Sequence, residues 1–269
     1  MTRDSTQTTL ESLGSEDITS LRDIDWTFEG ADTQQFTHGL HNYPARMVPQ
    51  IVNHLLSFYM NEGVIETGDL VYDPFSGSGT TAVEARLHGL NAEGNDINPF
   101  AVMLSKAKAI PLDRATLVES RSALLDGLEA ELADVARRSE REGDLDDVAL
   151  PDVNDGWFPQ PHLSQLATIR DRIDALEADF GEDYARFYRI ALSHTTRRVS
   201  YQRNGEFKRY RIAEADRPDH DPDVFDIFAS KVEDNVAMMK AYSERVDHAL
   251  ETTIHESDSR SAASVVGED

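Results

Sequence analysis

The residues best placed to do chemistry are Asp73-Pro74-Phe75-Ser76-Gly77-Ser78-Gly79-Thr80-Thr81. A short apolar run, Leu70-Val71-Tyr72, leads into them, and Ala82-Val83-Glu84-Ala85-Arg86 follows with the apolar spacing of a helix. The stretch reads as a strand, a tight glycine turn and a helix start. Glycines in such a turn let a ligand approach the backbone, and the helix N-terminus offers N–H groups that have no intrahelical acceptor. A second acid, Asp96, closes the next strand 17 residues past Gly79. In a doubly wound sheet an acid there accepts hydrogen bonds from ribose hydroxyls. Together they point to a nucleoside cofactor; the plain alternative is a structural strand-to-helix turn. Ala82 stands three positions after Gly79, so the Gly-X-Gly-X-X-Gly of nicotinamide binding is missing, and no lysine follows the turn as a P-loop requires. Hydride transfer and phosphoryl transfer are excluded on these grounds.

A second stretch, Arg197 to Arg211, holds six basic residues, one acid and three aromatics. Arg197, Arg198, Arg203, Lys208 and Arg209 are its candidate nucleic-acid contacts, since phosphates take cations and bases stack on rings. The alternative is a hairpin whose arginines pair with nearby carboxylates. There are no cysteines, which removes disulfides and thiolate metal sites. His38 and His41 are the closest pair among the nine histidines, but nothing nearby completes a zinc set. No metal is expected there, nor at the acids of 216–226, which read as a solvated surface.

The elements that must position these residues follow from periodicity. Residues 1–30 read as a polar arm whose end docks through Leu21, Ile24, Trp26 and Phe28. Residues 48–60 have helical spacing and stop at Asn61-Glu62-Gly63. Strand 70–72, helix 80–88 with Gly89 as its C-cap, strand 90–95 and a helix after Pro99 make a βαβα unit with a parallel sheet. Beyond Pro111, residues 113–141 read as one long helix or a broken pair, 142–155 as a loop, Trp157-Phe158-Pro159 as an anchor and 163–180 as a helix. A helix over 184–199 leads to the hairpin signal Asn204-Gly205, and a last helix is expected over 224–253. The expected division is an arm 1–30, a βαβα core 31–112, a helical insertion 113–182, a closing segment 183–255 and a tail 256–269.

Composition bounds the rest. The chain has 269 residues, with 26 basic against 50 acidic and a net charge of −24. Such a balance argues against nucleic acid unless the acidic surface is an adaptation to molar salt, where the Debye length shrinks to about 3 Å. Salt adaptation is the expectation, with stability rising in KCl as its test. No run is long enough to span a membrane and no signal peptide opens the chain, so a cytoplasmic protein is expected.

Asp73 to Thr81 resembles the AdoMet-binding motif of the amino-group DNA methyltransferases, which modify adenine at N6 or cytosine at N4. Asp96-Ile97-Asn98-Pro99 resembles their next motif, and His41-Asn42-Tyr43-Pro44-Ala45-Arg46 a segment that often precedes the first. The resemblance is strong over 36–112 and weaker over 184–269. It implies a Rossmann-like α/β fold and S-adenosyl-L-methionine as cofactor. Phe75, Gly77 and Gly79 would then contact the cofactor, Thr80 and Thr81 would lie near its carboxylate, and Asp96 would hold the ribose. Asn98 would reach the adenine, Ile97 and Asp73 are also counted among the cofactor-binding residues, and Tyr43 and Pro44 belong with the methionine end. Asp73 closes the strand that carries the motif.

One departure matters. The family's catalytic signature is Asp, Asn or Ser followed by Pro-Pro and an aromatic, which holds the target amino group and stacks on the flipped base. The chain has ten prolines and no Pro-Pro pair, so no catalytic residue is assigned. Val265-Val266-Gly267-Glu268-Asp269 is similar to the segment that precedes the signature's strand in relatives with this motif order. The expectation is therefore the cofactor-binding half of a DNA methyltransferase, with an incomplete sheet and a second polypeptide supplying the signature. Without cysteine, a covalent cytosine C5 mechanism is excluded. An RNA guanine N2 methyltransferase and a non-catalytic AdoMet-binding scaffold subunit or degenerate remnant are the alternatives.

Overall fold

Leu70–Asp73 forms β1, Asn91–Asp96 forms β2 and Thr252–Glu256 forms β3. They make a parallel sheet of order β1-β2-β3, with Leu70 opposite Asn91, Asp73 opposite Gly94, and Asp96 opposite Glu256. The computed structural model describes residues 20–22, 24–139, 150, 156–203 and 210–264. The chain divides into two units. Unit 1 comprises Met1–Thr33, Arg46–Ser105 and Val246–Asp269; unit 2 comprises Gln34–Ala45 and Lys106–Arg245.

In unit 1 the sheet is served by three helices, α1 (Pro49–Asn61), α2 (Thr80–Leu87) and α3 (Pro99–Ala109), the last of which runs on into unit 2. Proline opens α1 where its missing N–H costs nothing, and Val52 and Leu56 are buried along it with Pro49 and Ser57. Asn53 of α1 donates to Glu84 of α2 at 3.1 Å. Gly89, at φ 75°, ends α2 as the sequence predicts. β2 is the central strand, with Ala92, Gly94 and Asn95 buried. At the end of the arm, Phe28 stacks on His54 of α1 with ring centroids 5.4 Å apart. Residues 1–19 lie outside the described residues.

Unit 2 is helical: α4 (Arg114–Leu125), α5 (Leu128–Ser139), α6 (Gln160–Phe180), α7 (Glu182–Val199) and α8 (Val224–Ser243), preceded by a 3-10 turn at Phe36–Leu40. The segment 113–141 is thus the broken pair. Asp113 caps α4 by accepting from Thr116 N at 2.9 Å, and Gly127, at φ 75°, makes the break. Gly181 ends α6 and starts α7, and Arg189 of α7 reaches Asp174 and Glu177 of α6 at 2.8 and 2.7 Å. The buried stripe of α8, Phe228, Val232, Val236, Met239 and Tyr242, has helical spacing.

The last helix differs from expectation. It ends at Ser243 instead of 253, and Thr252–Glu256 becomes β3. Five residues with Ile254 alone buried are enough for a strand because β2 supplies the hydrogen-bonding edge. The loop expected at 142–155 lies outside the described residues apart from Leu150, as do Asn204-Gly205 and the whole of 265–269. Among the described residues, no helix is long and apolar enough to cross a membrane, and no group of three or more His, Asp or Glu could hold a metal ion.

Candidate functional site

The turn after β1 is built almost entirely from backbone groups with internal partners. Asp73 Oδ1 accepts from Phe75 N at 3.0 Å, so the acid folds the chain back on itself as it leaves the strand. Ser76 N donates to Asn95 O of β2 at 2.9 Å, and Gly79 N donates to Ser76 O at 2.8 Å. Asp96 binds both sides of the site. Its Oδ2 accepts from Gly77 N at 2.9 Å and its Oδ1 from Asn98 N at 2.8 Å. The second acid of the sequence pattern therefore holds the glycine turn in place. A carboxylate has about four lone-pair positions, so each oxygen keeps capacity for a hydroxyl.

The two glycines have different work. Gly77 and Gly79 both have positive φ, 51° and 82°. A Cβ on Gly79 would lie 2.4 Å from Ser105 Oγ and 2.8 Å from Ser105 Cα, so this glycine lets α2 start hard against α3. A Cβ on Gly77 would meet only Phe75 O, at 3.8 Å, which leaves that side of the turn open to a ligand. No side chain caps α2. The N–H groups of its first turn, Thr80 and Thr81 included, have no capping side chain to compete with an anion. Thr80 is buried and Thr81 half-buried.

Phe75 and Ile97, which follow β1 and β2, are 76% and 71% exposed. Large apolar side chains left in water beside a polar turn mark a surface that a ligand covers. Asn98 is more committed than its motif suggests. Its Oδ1 accepts from Phe100 N at 3.0 Å and its carbonyl from Val102 N at 3.1 Å, so it caps α3. Tyr43 and Pro44 belong to unit 2 and the other candidate cofactor residues to unit 1.

Sequence reasoning missed the residues that brace this site. Asn95 is buried, and its Nδ2 donates to Ser257 O at 2.9 Å and Ser259 Oγ at 3.0 Å. Ser259 Oγ in turn donates to Pro74 O, and Ser76 Oγ meets Ser105 Oγ at 3.1 Å. The segment after β3 is thereby tied to the turn after β1. The available signal was the β-branched run Thr252-Thr253-Ile254.

In the basic stretch, Arg197 and Arg198 are exposed at the end of α7. The hairpin's flanks pair: Gln202 bridges Arg211 antiparallel, and Arg203 N donates to Tyr210 O at 2.7 Å. Lys208 and Arg209 lie outside the described residues. Among the described residues Arg198 and Arg203 form no ion pair. Two rings nearby are already covered, Trp157 by Arg211 at 5.5 Å and Tyr201 by Arg217 at 5.0 Å. One face of each of those two rings is thus taken by an arginine, while Tyr210 is 52% exposed.

A parallel sheet with its glycine turn and two acids at the carboxyl ends of β1 and β2 is a Rossmann-like methyltransferase fold. Residues 8–107 match the N6_N4_Mtase family model, described as DNA methylase. Over 207 residues it is 35% identical to the Type II methyltransferase M.MvaI of Kocuria varians, which covers 76% of this chain and 43% of that protein. Over 91 residues it is 36% identical to the Type II methyltransferase M.MjaII of Methanocaldococcus jannaschii, covering 34% of this chain and 16% of that one. The chain thus spans less than half the length of these curated relatives. No solved structure matches it.

Proposed function

We propose that the chain is the cofactor-binding part of an AdoMet-dependent DNA methyltransferase acting on an exocyclic amino group, cytosine N4 or adenine N6. The observation that carries this reading is the Asp96 carboxylate. It anchors Gly77 and Asn98 at once and stands at the carboxyl end of β2, where a ribose would meet it. AdoMet fits the residues present. Its carboxylate suits the uncapped start of α2 at Thr80 and Thr81, its ribose Asp96, and its adenine the exposed apolar surface of Phe75 and Ile97 beside Asn98. Bound there, the cofactor supplies an activated methyl group. The chain's own residues fix its orientation: Asp73 shapes the turn, Gly77 opens it, and Gly79 seats α2.

The catalytic Pro-Pro-aromatic signature is supplied from outside this chain, by a second polypeptide or a further part of a longer one. The position of β1 supports this. The strand that bears the turn lies at an edge of the described sheet, with Leu70 55% exposed, whereas parallel strands are ordinarily covered on both sides. DNA is the substrate. Arg197, Arg198 and Arg203 contact its phosphates, a role for which the unpaired state of Arg198 and Arg203 leaves them available. Lys208 and Arg209 extend the same basic stretch. A restriction-modification setting goes with this reading.

Calorimetry with AdoMet and a methyl-transfer assay test it together. The chain alone should bind AdoMet and transfer no labelled methyl group to DNA. Asp96→Asn should weaken binding at least about tenfold, since it removes a charged acceptor from two backbone donors and the ribose. Methyl transfer by the chain alone would refute the divided-site reading, and unchanged affinity in Asp96→Asn would refute the site.

A further inference from the structure

The 3-10 turn Phe36–Leu40 lies on one face of α8. Lys231, Asn235 and Met238 stand at i, i+4 and i+7 of that helix and share a face. Lys231 Nζ donates to Gly39 O at 3.2 Å, and a Cβ on Gly39 would lie 2.9 Å from Met238 Sδ. Asn235 sits between these two contacts and therefore beneath the same turn. Its side chain is fully buried, and neither Oδ1 nor Nδ2 has a hydrogen-bond partner. Within the turn, Thr37 is also fully buried and its hydroxyl has no partner. Buried polar side chains nearly always find partners, so three atoms unpaired among the described residues, two on α8 and one in the turn packed against it, point to a polar ligand.

The charge around this site is one-sided. His41 Nε2 meets Ser193 Oγ at 3.2 Å. Lys108, itself fully buried, lies within electrostatic range of His41, as do His194 and Lys231; His194 also feels Arg197 and Arg198. Burial, and then these cations, hold both imidazoles down at about 4. Asp234 is the carboxylate that acts on Lys231. In a chain with a net charge of −24, so cationic a cluster calls for an anion.

We propose that the face of α8 bearing Lys231 and Asn235, together with Thr37 of the facing turn, binds a hydrogen phosphate group. Its bare oxygens accept from Lys231 Nζ, Asn235 Nδ2 and the Thr37 hydroxyl, and its P–O–H donates to Asn235 Oδ1. A phosphodiester has no such hydroxyl and would leave Oδ1 unpaired, so the DNA backbone is not the ligand, and the proposal stands apart from the methyltransferase reading. Inorganic phosphate and a phosphate monoester in its monoanionic form share the required chemistry.

The test is thermal melting of the full chain in rising inorganic phosphate at pH 6, with KCl adjusted to constant ionic strength, and in parallel with deoxycytidine monophosphate. A saturable rise in Tm with either probe is expected. Lys231→Met and Asn235→Leu should each weaken that response at least about tenfold. A stronger response to inorganic phosphate assigns the free ion, and a stronger response to the nucleotide assigns a monoester. No saturable rise with either, or a rise unchanged in both variants, overturns the proposal. Asn235→Leu is nearly isosteric and apolar, so it carries the test if Lys231→Met does not fold. If Asn235 were merely buried without a ligand, that variant would raise Tm and keep the phosphate response, which also overturns it.

Discussion

The turn at residues 73–81 and the Lys231 face of α8 use polar groups in opposite ways. In the turn, the N–H groups of Phe75, Ser76, Gly77 and Gly79 all donate within unit 1, and both Asp96 oxygens accept from backbone. Asn235 of α8 and Thr37 of the turn packed against that helix carry buried polar atoms with no partner among the described residues. The first site is a backbone shape held by its own hydrogen bonds, with the uncapped N–H groups at the start of α2 left for a ligand; the second, as proposed, is a set of side chains still requiring one. This predicts that the turn fails through geometry and the α8 face through charge.

The largest effect should come from Gly79→Ala. The new Cβ meets Ser105 at 2.4 and 2.8 Å and the residue must keep φ 82°. Overpacking and the left-handed conformation together should cost roughly 3–5 kcal/mol, read as a drop in Tm. Gly77→Ala separates shape from packing. Its Cβ meets nothing closer than 3.8 Å, so only the strain of φ 51° remains, about 1–2 kcal/mol. Its AdoMet affinity should nonetheless fall, because the methyl group occupies the open side of the turn. Equal losses of stability in the two variants would break the distinction between a packing glycine and a ligand-facing one.

The same contrast explains what could be read in advance. The strand, turn, helix and second strand of unit 1 were legible within a residue or so, because each is specified by neighbours in sequence: Asp73 folds onto Phe75, and Gly79 precedes the helix it starts. Asp96 was legible as the acid that closes β2, but its part in holding Gly77 was not, since that contact spans the turn. β3 was missed because Thr252–Glu256 has a single buried apolar residue and gains its strand character from β2. With it went Ser257 and Ser259, which reach Asn95 and Pro74 only after the strand is in place. The α8 cluster was invisible for a stronger reason. Thr37, His194, Lys231 and Asn235 come together only through helix packing, and none has a distinctive neighbour in sequence.

Acid should act on the α8 side. The His41 imidazole is held at about 4 by burial, against 6.5 for the free group. Between these values the unfolded chain binds a proton at His41 and the folded chain does not, so stability is present above 6.5 and is lost as pH falls toward 4. The loss should be on the order of 3 kcal/mol for this residue, and the depressed His194 works in the same direction. Chemical denaturation at a series of pH values measures the slope. His41→Gln should flatten it, and an unchanged slope in that variant would move the acid sensitivity to other groups.

The smallest effect concerns Ala45, the last residue of unit 2 before the chain enters unit 1 at Arg46. Ala45 has φ 54°, a left-handed conformation uncommon for a residue with a Cβ. On its far side Arg46 Nη2 donates to Thr33 O at 3.0 Å, which fixes where the chain must arrive. Ala45→Gly relieves about 1–2 kcal/mol of strain but gives back about 0.4–1 kcal/mol through the greater freedom of the unfolded chain. A net gain of roughly 0.5–1 kcal/mol in denaturant unfolding is expected. Two outcomes for AdoMet affinity then differ in meaning. If affinity is unchanged, the strain is local to the bend. If affinity falls while stability rises, the strain contributes to ligand binding, and geometry rules this segment as it rules the turn.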